Sequence, residues 1–160
     1  MYRQGIVGVV LSAISIAQIA HAQAPIADVN YAPAIPHPAF SFGSGPVVRI
    51  DEAHRNYHTL EGRYAPFASL LRRDGFQVER SELTLSVESL AGADVLVIVN
   101  AMVDPSGQQN ESALSDREIR AVHAWVTQGG ALLIVADHPP FSNAASALAK
   151  AFGLVREGPI

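Results

Sequence analysis

The chain has no cysteine. That absence removes disulfides, thiolate metal sites, a cysteine nucleophile and a lipid-anchored N-terminal Cys in one step. Lysine is nearly missing too, since Lys150 is the single Lys among eleven cationic residues. No basic stripe appears and the formal net charge is −4, so nucleic acid is not an expected partner. No Gly-x-Gly-x-x-Gly turn follows the first strand-like run, and no P-loop is present, so no nucleotide cofactor is expected. Ser44, Ser106 and Ser142 offer hydroxyls, but none stands in a Gly-x-Ser-x-Gly setting. No internal repeat is visible.

What is present fits one domain: 160 residues, 49% of them hydrophobic. Residues 1–22 read as a secretory signal peptide. Arg3 supplies the positive end, Gly5 to Ala20 the apolar run, and Ala20-His21-Ala22 the small-x-small cleavage pattern. The run of about 16 residues is short for a membrane span of ~20, so no stable membrane insertion is expected once it is cleaved. A chain exported in this way does not depend on oxidation to fold. Residues 23–46 form a linker with five of the ten prolines, extended in character, with Phe40 and Phe42 as candidates to pin its end to the domain. The folded part is expected over 47–160.

Within it, apolar runs alternate with amphipathic stretches. Val47 to Asp51, Phe76 to Glu79, Asp94 to Val99 and Ala131 to Ala136 read as strands. Helices are expected over Ala65 to Asp74, Ser86 to Leu90, from the capping box Ser115-Asp-Arg-Glu118 to before Gly129, and from a Ser142 cap through Phe152. Alternation of this kind predicts an α/β fold with a three-layer open parallel sheet and flanking helices. The last residues, Gly158-Pro-Ile160, fall where a fifth strand is expected, which suggests a C-terminally truncated domain.

Three of the strands end in polar groups: Asp51-Glu52-Ala-His54, Asn100, and Asp137-His138. The carboxyl ends of parallel strands share one edge, and ligands bind there. Asp51 fits either a general base or metal ligand, or a carboxylate accepting backbone N–H groups at a turn. Glu52, Asn56 and Asn100 are candidates for ligand contacts, with Arg55 and Arg63 nearby. His54 and His58, four apart, could with Asp51 or Asp137 hold a divalent metal. His138 is a candidate acid–base group near neutral pH, with Asp137 either its partner or a cap for the next turn. The helix from Ser142 would add its N-terminal dipole to this loop. His123, Trp125 and Tyr64 read as structural.

The strings Ile50-Asp-Glu-Ala-His-Arg-Asn-Tyr-His-Thr-Leu-Glu-Gly-Arg-Tyr64 and Gly129-Gly-Ala-Leu-Leu-Ile-Val-Ala-Asp-His138 resemble a group of exported bacterial proteins. That group is a domain family of unknown function within the class I glutamine amidotransferase-like superfamily, and the resemblance covers about residues 47–158. It implies a flavodoxin-like layered sheet, a periplasmic or secreted setting, and usually a longer chain. Active amidotransferases carry a Cys on the sharp strand-to-helix turn. The comparable turn here is Ala136-Asp137-His138, so glutaminase chemistry does not carry over.

Two functions follow as expectations. One is a domain binding a small polar ligand at the strand ends, in the form of a metal-assisted hydrolase worked by Asp51, His54, Asp137 and His138. The other is a non-catalytic module for carbohydrate, envelope polymer or a protein partner. A truncated domain without a stable fold is a third reading of the same sequence.

Overall fold

A computed structural model describes residues 26–104 and 112–154. The signal-peptide reading, Ser106 and the expected position of a fifth strand lie outside the described residues. Four strands, β1 (Val47–Asp51), β2 (Gln77–Ser81), β3 (Val95–Val99) and β4 (Ala131–Val135), form one parallel sheet in the order β2-β1-β3-β4. Five helices accompany them: α1 (Ala65–Arg73), α2 (Val87–Leu90), α3 (Asp116–Thr127), α4 (Phe141–Ala144) and α5 (Ser146–Ala151). β3 thus lies between β1 and β4, which brings the three polar strand ends side by side. Connections leave β1 and β3 toward opposite edges of the sheet, the arrangement that opens a crevice above the strand ends.

The period of two along each strand sorts side chains onto two faces. Val48 and Ile50 of β1, with Val95, Val97 and Val99 of β3, pack with Tyr64, Phe67 and Leu71 around α1. Leu96 and Ile98 of β3 face the other way and pack with Leu85, Leu90, Val122 and Leu148. Ile50, Leu96, Ile98 and Val122 are completely or almost completely shielded, each worth about 1.5–3 kcal/mol of burial. Because Val48 and Ile50 face α1, Arg49 and Asp51 must face the layer of α2 and α3. Arg49 accordingly donates to the Ser89 and Ala91 carbonyls of that layer at 2.6 and 3.0 Å.

Local signals explain most of the boundaries. Pro66 sits in the first turn of α1, where a missing N–H costs nothing, and Arg72 and Arg73 sit in its last turn. α3 begins with a complete capping box: Ser115 Oγ accepts from the Glu118 N–H, and Glu118 Oε2 accepts from the Ser115 N–H at 2.9 Å. Ile119, Trp125 and Val126 pack beside Val122 on the core, as the helical period predicts.

Two expectations are corrected. The last helix is not one element capped by Ser142. It is split into α4 and α5, and α4 starts at Phe141 with Pro140 in the cap position and no side-chain cap. Phe141 is buried and fixes where the turn begins, which leaves Ser142 inside it. A four-residue turn also has almost no dipole to offer an anion. Phe40 does pin the linker, edge-on to Phe76 at 5.1 Å, but Phe42 is 89% exposed and pins nothing.

Phe40 also explains Gly75. That residue follows α1 with φ of +96°, and a Cβ there would run into the Phe40 backbone. Gly92 has φ of +75° but open space around it. Gly75→Ala is expected to lose about 3 kcal/mol or more in urea unfolding, from strain plus collision, against about 1 kcal/mol for Gly92→Ala. Equal losses would show that Phe40 does not dock as described.

Candidate functional site

Asp51, the last residue of β1, is 0% exposed and faces the α3 layer. The chain then turns sharply. The Glu52 N–H donates to the Ser81 carbonyl at 2.8 Å, and Arg55 takes a left-handed conformation with φ of 51°. This turn folds His54 back onto Asp51. His54 Nδ1 lies 2.9 Å from both Asp51 carboxylate oxygens. On the other side of the ring, Nε2 lies 2.9 Å from Glu118 Oε1. A carboxylate cannot donate, so both ring nitrogens must carry protons and His54 is an imidazolium.

Burial by itself pushes the His54 pKa down, but the bonds and charges of Asp51, and after them those of Glu118, hold it above the ordinary 6.5. Burial likewise pushes Glu118 up. It is outweighed by the Ser115 backbone and hydroxyl, His54 and the Leu85 N–H, and the carboxyl falls to about 2. Every remaining acceptor is occupied. Asn56 Nδ2 donates to Asp51 Oδ2 at 3.0 Å and to the Val99 carbonyl at 3.2 Å, while Asn56 Oδ1 accepts the His54 N–H at 3.1 Å. The Leu85 N–H donates to Glu118 Oε1 at 3.0 Å. The cluster is therefore a satisfied buried charge network joining β1, the turn after it and the start of α3.

Above it lies an open cleft of about 440 Å³, lined by Tyr57, His58, Arg63, Asn100, Asp137, His138, Pro140 and Phe141. Asn100 forms its floor in a left-handed conformation with φ of 43°, which Asn tolerates better than most residues. Its carbonyl accepts the Tyr57 N–H at 3.0 Å and its Oδ1 accepts the Asp137 N–H at 3.4 Å, so one residue ties both walls to the end of β3. His138 Nδ1 lies 3.0 Å from Asp137 Oδ1, and both side chains are more than half exposed. In the neutral tautomer with Nδ1–H donating to Asp137, Nε2 carries the lone pair. Burial raises the Asp137 pKa, but the His138 N–H, the His138 ring and Asn100 prevail and hold the carboxyl below its usual range. His58 is pushed below 6.5, first by burial and then by the Arg63 guanidinium, so it is neutral at pH 7.

The structure therefore divides the residues singled out in the sequence. Asp51, His54 and Asn56 come together, but in the buried network and away from the cleft. Asn100, Asp137 and His138 come together in the cleft, joined by His58. Glu52 does neither: its Oε1 accepts the Leu60 N–H at 2.6 Å and closes the turn. The expected metal set of His54, His58 and Asp137 is not assembled. Both nitrogens of His54 are committed to carboxylates, and among the described residues no group of three or more His, Asp or Glu side chains is placed to hold an ion. His123 stacks on Phe152 and Tyr64 packs on the core, both structural as expected. Glu118 was legible only as a helix cap, and nothing in the sequence marks its link to His54, 64 residues away. A larger hollow of about 560 Å³ runs beside β4 and α5, but it is mainly aliphatic, and among the described residues Lys150 is its single charged side chain.

Removing one partner of a buried ion pair leaves the other charge uncompensated. Glu118→Gln is expected to lower stability by about 3 kcal/mol at pH 5.5. The sign of its pH dependence follows from both groups. Glu118 has a lowered pKa, so its contribution is present above the ordinary 4.5 and is lost as pH falls through about 2. His54 has a raised pKa, so its contribution is full below 6.5 and is lost as pH rises through the raised value. The gap between wild type and variant in chemical denaturation should be widest between these limits and narrow on both sides. A pH-independent gap would contradict the charged network.

No family model, no curated protein and no solved structure matches the chain.

Proposed function

We propose that this is an exported α/β domain whose strand-end cleft binds a small polar ligand, with His138 acting on it as a hydrolytic acid–base group oriented by Asp137. The observation that carries the proposal is the cleft itself. It holds a histidine with an oriented ring, an ionised carboxylate, a guanidinium and two aromatic rings above the ends of β1, β3 and β4. Its volume falls in the range of small-molecule sites, ~300–1,000 Å³. His54, one of the expected metal ligands, is committed to Asp51 and Glu118, and the nucleophile is water activated by His138.

We likewise propose membership of the amidotransferase-like superfamily. It is supported by the parallel order β2-β1-β3-β4, which matches the start of the flavodoxin-like order 2-1-3-4-5. Export rests on the signal-peptide pattern of residues 1–22. Glutaminase chemistry through a cysteine has no residue to carry it in this chain. Among the described residues no helix is long and apolar enough to cross a membrane.

A second reading, the non-catalytic module for carbohydrate or envelope polymer, is favoured by one observation. The Asp137 and His138 side chains are 56% and 67% exposed, and an exposed pair lacks the dry surroundings that strengthen catalytic electrostatics. One experiment separates the two. Chromogenic esters and glycosides are screened for hydrolysis, and binding of the same compounds is followed by NMR shifts of Tyr57 and Phe141. The hydrolase predicts turnover that falls roughly 10²–10⁴-fold in His138→Ala with binding retained. Binding without turnover in the wild type would remove the catalytic part and leave the module.

A further inference from the structure

Arg63 places a guanidinium on the wall of the cleft. Among the described residues it makes no ion pair. Its one hydrogen bond goes from Nη2 to the Tyr57 hydroxyl at 3.2 Å. Its guanidinium carbon lies 4.7 Å from the centre of the Tyr57 ring, so the planar group is stacked on an aromatic face and held in orientation. Two arginines of the sheet, Arg49 and Arg80, differ. Arg49 is spent on Glu79 and two carbonyls, and Arg80 lies near Glu61 and Glu82. A half-buried arginine with an oriented fork and open donors, on the wall of a cavity, is arranged to receive a two-oxygen anion.

The rest of the cleft narrows the anion. Asp137, on the β4 side, is ionised and lines the same space. A phosphate dianion would meet that carboxylate with one guanidinium to compensate it. A carboxylate monoanion matches Arg63 and leaves Asp137 to accept from hydroxyl groups. Tyr57 is half exposed and is backed by the buried Phe141 at 5.7 Å and an interplanar angle of 33°, so the Tyr57 ring is the aromatic contact open to the C–H face of a sugar ring. His58, neutral and packed between the Tyr57 and Tyr64 rings, adds no competing charge.

We infer that the cleft is specific for an acidic sugar of the uronic acid class, with the ligand carboxylate on Arg63, a ring hydroxyl on Asp137 and the ring face on Tyr57. This rests on the cleft being the ligand site. The same chemistry is offered by a free monosaccharide and by the end of an acidic polysaccharide.

The test is an NMR titration of the full chain with D-galacturonate, D-galactose, galactose 6-phosphate and a galacturonate trisaccharide. Galacturonate is expected to bind at least on the order of tenfold tighter than galactose, the effect of one charge-assisted pair. Arg63→Gln should erase that preference, and Arg63→Lys should restore part of it. A tighter trisaccharide would identify polymer as the source of the ligand, and an equal affinity the free sugar. Equal binding of galactose and galacturonate, or a preference that survives Arg63→Gln, would overturn the inference and leave the proposed small-ligand cleft standing. Preference for the 6-phosphate would overturn it in favour of a phosphate site. Silence of the cleft toward all four sugars would overturn it as well. The cleft itself fails as a site only if the broader ester and glycoside screen is also silent at Tyr57 and Phe141.

Discussion

One imidazolium held between two carboxylates fixes the functional edge of this protein. His54 would cost several kcal/mol to bury alone as a cation. Asp51 and Glu118 offset that cost from opposite sides, and Asn56, Ser115 and the Leu85 N–H occupy the remaining oxygens. The link runs from the end of β1 to the first turn of α3. It also sets the course of the turn that carries Tyr57 and His58, because the His54 carbonyl accepts the Met102 N–H at 2.9 Å and the Tyr57 N–H returns to Asn100. The walls of the cleft stand where they do because this charge network lies behind them.

The same interaction decides which histidine is free for chemistry. A ring with both nitrogens donating has no lone pair, so His54 can neither accept a proton nor bind an ion without breaking the network. His138 is the reverse case. Asp137 takes one nitrogen, and the other remains at the mouth of the cleft. The strand-end edge therefore has two layers: a rigid ionic one facing α3, and an open one between the β1 and β4 loops. Rigid support under an accessible polar surface is what a specific site requires, whether the ligand is turned over or held.

Much of this was readable from residues. Five-residue apolar runs such as Val95 to Val99 specify buried parallel strands, and Ser115-x-x-Glu118 specifies a helix start, so element order and the shared polar edge follow from local pattern. What could not be read is tertiary. Glu118 is fully explained by its cap, and its second bond to His54 appears once α3 lies over β1. Asp51 and Asp137 look alike in sequence, each closing an apolar run, yet the pleat and the depth of the sheet bury one and expose the other. The split of the last helix depends on Phe141 finding a place in the core, which no periodicity marks, and Arg63 looks like any surface arginine until Tyr57 is seen beneath it.

The most direct measurement is the protonation state of His54, read from ring ¹⁵N and ¹H shifts in a pH titration of the folded protein. A buried imidazolium predicts two slowly exchanging ring N–H protons for His54 at pH 6, and a midpoint displaced above the ordinary 6.5 toward alkaline pH. A neutral His54 with a single ring N–H, titrating at or below the ordinary value, would contradict the charge network and with it the assignment of the free histidine to the cleft.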